Sequence, residues 1–152
     1  MKKIVAAVAL GFIATTVMAN DVDERQVLPI TEMQRNHILT EMRALLVGTQ
    51  NILYALSEDD MAAVARHART LGMGMAHKGE NHLQSVLPQE FMQLGMAAHK
   101  NFDQIAIDAE SLKDPKHTLR QLSASMNQCV ACHAAYQIRI TARPVKPMQH
   151  KH

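Results

Sequence analysis

Between Phe91 and Leu112 the apolar and small residues Phe91, Gly95, Ala98, Phe102, Ile105, Ala109 and Leu112 recur at steps alternating four and three. That period puts a single continuous stripe on one face of a helix, and the stripe has to be covered by other helices. Pro88 suits the first position of this segment, because its fixed φ is already helical and its missing N–H is not needed there. No stretch of the 152 residues alternates convincingly as a strand does.

Three further segments read the same way. Pro29 and Thr31 open one that runs to about Leu56, with Ile38, Met42, Leu45, Ile52 and Leu56 at helical spacing. Ser57 is suited to cap a second, with Glu58, Asp59 and Asp60 at the positive end of its dipole and Met61, Val64, Ala65, Ala68 and Leu71 inside. Gly72 and Gly74 weaken it, and a polar connection from about Met75 to Leu87 follows. Asp114-Pro115 opens the last helix, with Leu119, Leu122, Met126, Cys129, His133 and Tyr136 on or near one face and Pro144 ending any continuation. The expected fold class is all-α. Its simplest architecture is an antiparallel up-down-up-down four-helix bundle.

The last helix carries the only two cysteines, in Cys129-Val130-Ala131-Cys132-His133. C-x-x-C-H is the attachment signature of c-type haem. Each thiol can add to a vinyl group of the porphyrin, and the adjacent imidazole can bind the iron. At about 100° per residue all three side chains fall on one helix face. Other readings fit less well. A structural zinc site needs four ligands, and no second cysteine pair exists. A thioredoxin-like pair follows a strand in a mixed fold, and a disulfide at this spacing suits helical Cα separations poorly. The expectation is one covalent haem c per chain, near one end of the bundle.

The amino terminus agrees with export. Lys2 and Lys3 precede an apolar run from Ile4 to about Met18, ending in Val17-Met18-Ala19, a pattern suited to signal peptidase. The run is short for a membrane span of about 20 residues, so no stable span is expected after cleavage. Residues 1–19 thus read as a signal peptide, 20–27 as a polar lead, 28–142 as the haem domain and 143–152 as a flexible tail. The expected location is a bacterial periplasm.

Without Lys2 and Lys3 the basic residues equal the 14 acidic ones, so nothing in the charge argues for nucleic acid. After cleavage Tyr54, Phe91, Phe102 and Tyr136 are the only rings. Such a core lacks the bulk that aromatics normally supply, and a porphyrin occupying that volume is consistent with it, as is an ordinary Leu/Ala bundle.

With four helices in this order and Cys129, Cys132, His133 and then Tyr136 near the end of the last, the chain from about Leu28 to Ile140 resembles the class II c-type cytochromes, the cytochrome c′ family. The resemblance implies thioether anchors at Cys129 and Cys132, a proximal iron ligand at His133 and a homodimer through the first two helices. It departs at Gln137. The family commonly carries a basic residue there, whereas the arginine of this chain comes two places later, at Arg139.

If the last helix ends about seven residues beyond His133, roughly 10 Å at 1.5 Å per residue, the facing level of the first helix is near Ile38. Arg35 followed by Leu39 fits the family spacing for residues around the haem, and a leucine leaves the iron open. Met42 on the same face is the competing distal ligand, with Met33 a weaker one; a methionine at such a spacing more often only fills core space. His77, Lys78 and His82 in the middle connection, and His150 and His152 in the tail, read as solvated.

Two functional classes follow. One is a haem protein that passes single electrons to a redox partner protein, or binds a small gas such as NO or CO, at an open or weakly ligated iron, without turnover. The alternative is a haem enzyme, a peroxidase or nitrogen-oxide reductase, which needs a positioned distal acid or base. Leu39 and Met42 offer none, and His37 beside Ile38 is expected to point elsewhere.

Overall fold

The computed structural model describes residues 22–76 and 83–140. The expected signal peptide, the tail from 143 and the residues His77, Lys78, His82, His150 and His152 lie outside the described residues. The rest is mostly helical: β1 (Gln26–Ile30), α1 (Glu32–Ser57), α2 (Met61–Thr70), a single turn α3 (Met73–Ala76), α4 (Gln89–Ser111), α5 (Pro115–Ala135) and β2 (Tyr136–Ile140). Among these residues no helix is long and apolar enough to cross a membrane.

Local chemistry explains most boundaries. Thr31 caps α1 in a reciprocal box with Gln34, whose side chain accepts from the Thr31 backbone N–H at 2.9 Å. Asp114 caps α5 by accepting from the Lys116 and His117 backbone N–H groups, and Pro115 takes the first helical position. Pro88 stands one place earlier than expected, as the cap residue of α4 rather than its first helical residue. Ser57 does not cap α2. It ends α1, where its hydroxyl donates to the Tyr54 carbonyl at 2.7 Å. Asp59 then turns the chain at φ 53, and Asp60 caps α2 by accepting from the Ala63 N–H at 2.8 Å. A carboxylate accepts an N–H more strongly than a hydroxyl does, which gives Asp60 the position.

α1 packs on α2, α2 on α4 and α4 on α5. The seam is one apolar cluster in which Ile52, Val64, Ala68, Leu71, Phe102, Ile105, Ala109 and Leu122 are buried. Small residues on α2 and α4 let their backbones approach. The expected stripe of α2 is therefore inside, and that of α4 is inside from Ala98 to Ala109, whereas Phe91 is only half-buried and Gly95 and Leu112 are exposed. On α5 the inner face is turned by one residue. Thr118, Leu122 and Ser125 are buried, whereas Leu119 and Met126 are 46% and 50% exposed.

The strand pair departs most from expectation. β1 and β2 run parallel, from Gln26 opposite Tyr136 to Ile30 opposite Ile140, so the last helix stops at Ala135 instead of continuing to about Ile140. Leu28 and Ile30 point inward and their neighbours outward, the period of two that a strand needs. β-branched Ile138 and Ile140 match the pleat once β1 supplies a partner. Pro29, which has no N–H to donate, is tolerated because both strands are edges. Leu28, Ile30, Ile38, Leu83 and Leu87 form a second cluster beneath the pair, with Met42, Phe91, Met92, Tyr136 and Ile138 packed against it.

Candidate functional site

The strand pair ties the start of α1 to the end of α5, but along their length these two helices leave a space between them. This cavity of about 780 Å³ is lined by α1, α4 and α5 and bordered by the strands. Its volume lies within the range of small-molecule and cofactor sites, and apolar side chains dominate its walls. Cys129, Cys132 and His133 all line it, as do Leu39 and Met42 from α1. Arg35 does not. It is half-buried near the start of α1, in the turn whose backbone bonds to Thr31. Met33 is 67% exposed.

The two sulfurs are unbonded to each other. Burial pushes both thiols above their ordinary range, and at Cys132 the neighbouring Cys129 adds to the effect, so they are held as neutral S–H groups. Tyr136 follows the motif at the first position of β2, its ring edge-on to Phe91 with centroids 5.4 Å apart.

Several lining residues escaped the sequence reading. His37 faces the cavity instead of pointing away. Met92 and Met96 bring two more thioethers from α4. His99, 4% exposed, forms part of the wall with Glu41. Position 99 lies four after Gly95 and three before Phe102, on the buried stripe of α4, so its spacing was the available signal. Ser125 is 2% exposed, and its hydroxyl oxygen has no hydrogen-bond partner, an uncommon state for a buried polar group. It also lines the cavity, one turn before Cys129. Among the described residues no group of three or more His, Cys, Asp or Glu side chains is gathered as a metal cage.

No family model matches this chain, and no solved structure matches it. Among curated proteins, 90 residues are 32% identical to the ATP-dependent protease ATPase subunit HslU of Dinoroseobacter shibae (strain DSM 16493 / NCIMB 14021 / DFL 12), a match covering 54% of this chain and 21% of that protein. The chain thus spans about a fifth of the length of that relative.

Proposed function

We propose that this chain is an exported c-type cytochrome that holds one haem covalently through Cys129 and Cys132, with His133 as an iron ligand, and serves single-electron transfer or the binding of NO or CO. The observation that carries the reading is that all three residues of the only C-x-x-C-H motif line one large, mainly apolar cavity. The residues suit the group in other respects. Both cysteines are unbridged, as addition to vinyl groups requires, and the orphaned Ser125 hydroxyl leaves a donor available to whatever fills the space. On this reading the four longer helices form an up-down-up-down bundle, and the gap between α1 and α5 is the haem crevice.

The bound group would supply one-electron redox chemistry and an iron coordination site. The chain's own work is to hold and shield it. Cys129 and Cys132 would fix its edge to α5. The imidazole of His133, on the same helix face, would serve as the proximal ligand. Leu39, Ile38 and Phe102, which line the same cavity, would shield the bound group from water. Export to the periplasm, cleavage after Ala19 and pairing into a homodimer belong to the same proposal. The ATPase activity named for the Dinoroseobacter relative is not adopted, because this sequence contains no G-x-x-x-x-G-K-[ST] loop to cradle a nucleotide.

Expression in a bacterial host competent in c-type maturation tests the reading. The periplasmic product should carry one haem that acid and organic solvent do not extract, with its mass corresponding to a chain starting at Asn20. A colourless product would overturn the function. His37 in the cavity wall favours a second reading, a haem enzyme with a distal acid–base group. Steady-state turnover with hydrogen peroxide, lost in His37→Ala, would support that reading over the first.

A further inference from the structure

One cation reaches His133 from a distant part of the chain. Arg25, in the segment before β1, donates from Nη1 to the His133 carbonyl oxygen at 3.2 Å. Its Nε and Nη2 donate to the two carboxylate oxygens of Asp23, at 2.9 and 2.7 Å. Gln137 fastens the segment. Its Nε2 donates to the Arg25 carbonyl at 2.8 Å and to the Asp23 carbonyl at 3.5 Å, and its Oε1 accepts from Arg139 Nε at 2.8 Å. The register of the strands, Gln26 opposite Tyr136, holds residue 25 beside the last turn of α5. The His133 carbonyl is one of the last in that helix and has no partner within it, at the end where the dipole favours a cation. Arg25 and Arg139 both line the cavity.

We propose that Arg25 is a positioning residue for His133 and that the charge balance between Arg25 and Asp23 tunes the redox potential of the site. This rests on the proposed haem function. Reduction by one electron lowers the positive charge on the iron side of His133, so a cation fixed nearby favours the reduced form and an anion the oxidised form. Asp23 offsets Arg25 in the intact protein. Loss of either one exposes the charge of the other, and the two losses act in opposite directions. A scaffold role alone would not produce opposite signs, because both substitutions would loosen the same segment.

The test is a potentiometric titration of the full holoprotein with dithionite and ferricyanide, at low and high salt. Arg25→Gln should lower the midpoint potential and Asp23→Asn should raise it, Arg25→Lys should stay near wild type, and both shifts should shrink with added salt because the pair is partly exposed. Potentials that do not move, or that move in the same direction in both variants, overturn the inference. Should Arg25→Gln fail to accumulate, Asp23→Asn carries the test, and an unshifted or lowered potential there overturns it equally. A wild-type chain that takes up no haem overturns the proposed function itself, a result distinguishable from unmoved potentials in a loaded protein.

Discussion

His99 and Glu41 meet across the interface of α4 and α1, Nε2 to Oε1 at 3.4 Å, while His99 Nδ1 lies 2.6 Å from the Leu71 carbonyl at the end of α2. One buried ring thereby joins three helices in the wall of the cavity. With an acceptor at each nitrogen, the doubly protonated imidazolium is the form that satisfies both. Asp103, one turn further along α4, adds negative charge nearby and accepts the Met73 backbone N–H at 2.9 Å.

This arrangement makes folding stability depend on pH. Desolvation alone would lower the His99 pKa, but the hydrogen bonds that the ring donates to Glu41 and the Leu71 carbonyl, with the charges of Glu41 and Asp103, outweigh it and raise it above 6.5. A folded-state pKa above the unfolded value means that the stabilisation is fully present below about 6.5 and is lost as pH rises through the folded value. Urea denaturation across pH 5 to 9 should show that decline in the wild type. It should be absent in His99→Gln, which should be less stable than wild type at low pH. An unchanged pH profile in the variant would refute the assignment.

Gly48 on α1 lies close against Leu71 at the end of α2. A Cβ built there would lie 2.5 and 2.6 Å from the two methyl carbons of Leu71, a side chain 2% exposed that would have to shift within the packed core. Gly48→Ala gains about 1 kcal/mol of helix propensity but overpacks the core, a cost of about 1–3 kcal/mol. Net destabilisation of about 1 kcal/mol is expected, measured as a lower urea midpoint. A higher midpoint would mean that the helices can separate there.

Lys113 presents the reverse case. It joins α4 to α5 at φ 51, the left-handed region, on the exposed surface. An L side chain costs roughly 1–2 kcal/mol there, a strain that glycine escapes at some cost in unfolded-chain entropy. Lys113→Gly should raise stability by up to about 1 kcal/mol, whereas Lys113→Val should lower it. Thermal melts of the two variants, moving apart from wild type in opposite directions, check this.

The helices were legible because the patterns that specify them are local. Thr31 after Pro29, Asp114 with Pro115, and the four-and-three stripe of α4 can each be read within a few residues. The strand pair was not, because Gln26 to Ile30 and Tyr136 to Ile140 become strands only by finding each other across more than 100 positions, and either stretch alone is too short to alternate persuasively. The motif residues were found from identity and spacing alone. The rest of the wall was named only in part: Leu39 and Met42 line it, but Met92, Met96, His99 and Ser125 stand in no such motif. Arg35 carries the expected spacing but sits in the first turn of α1, and the Asp, Glu, Lys and Arg side chains lining the cavity are Arg25, Glu41, Arg43 and Arg139. Burial of Thr118 and Ser125 in place of Leu119 and Met126 reflects how α5 rotates against α4, which hydrophobicity alone does not encode.

The occupant of the iron's sixth position remains the property that most separates gas binding from electron transfer in the proposed cytochrome. Leu39 has no donor atom. Met42 on α1 and Met92 on α4 both line the cavity and, like Tyr136, pack against the cluster of Leu28, Ile30, Ile38, Leu83 and Leu87. Both are also only half-buried fillers of that cluster, the ordinary role of a flexible thioether. An open iron is therefore expected. Oxidised and reduced spectra of the wild type, Met42→Ala and Met92→Ala should match one another, and the reduced wild type should bind CO as readily as either variant. A thioether-to-iron absorption in the oxidised wild type that disappears in one variant, with CO binding strengthened in that variant alone, would identify that methionine as the ligand and make electron transfer the function.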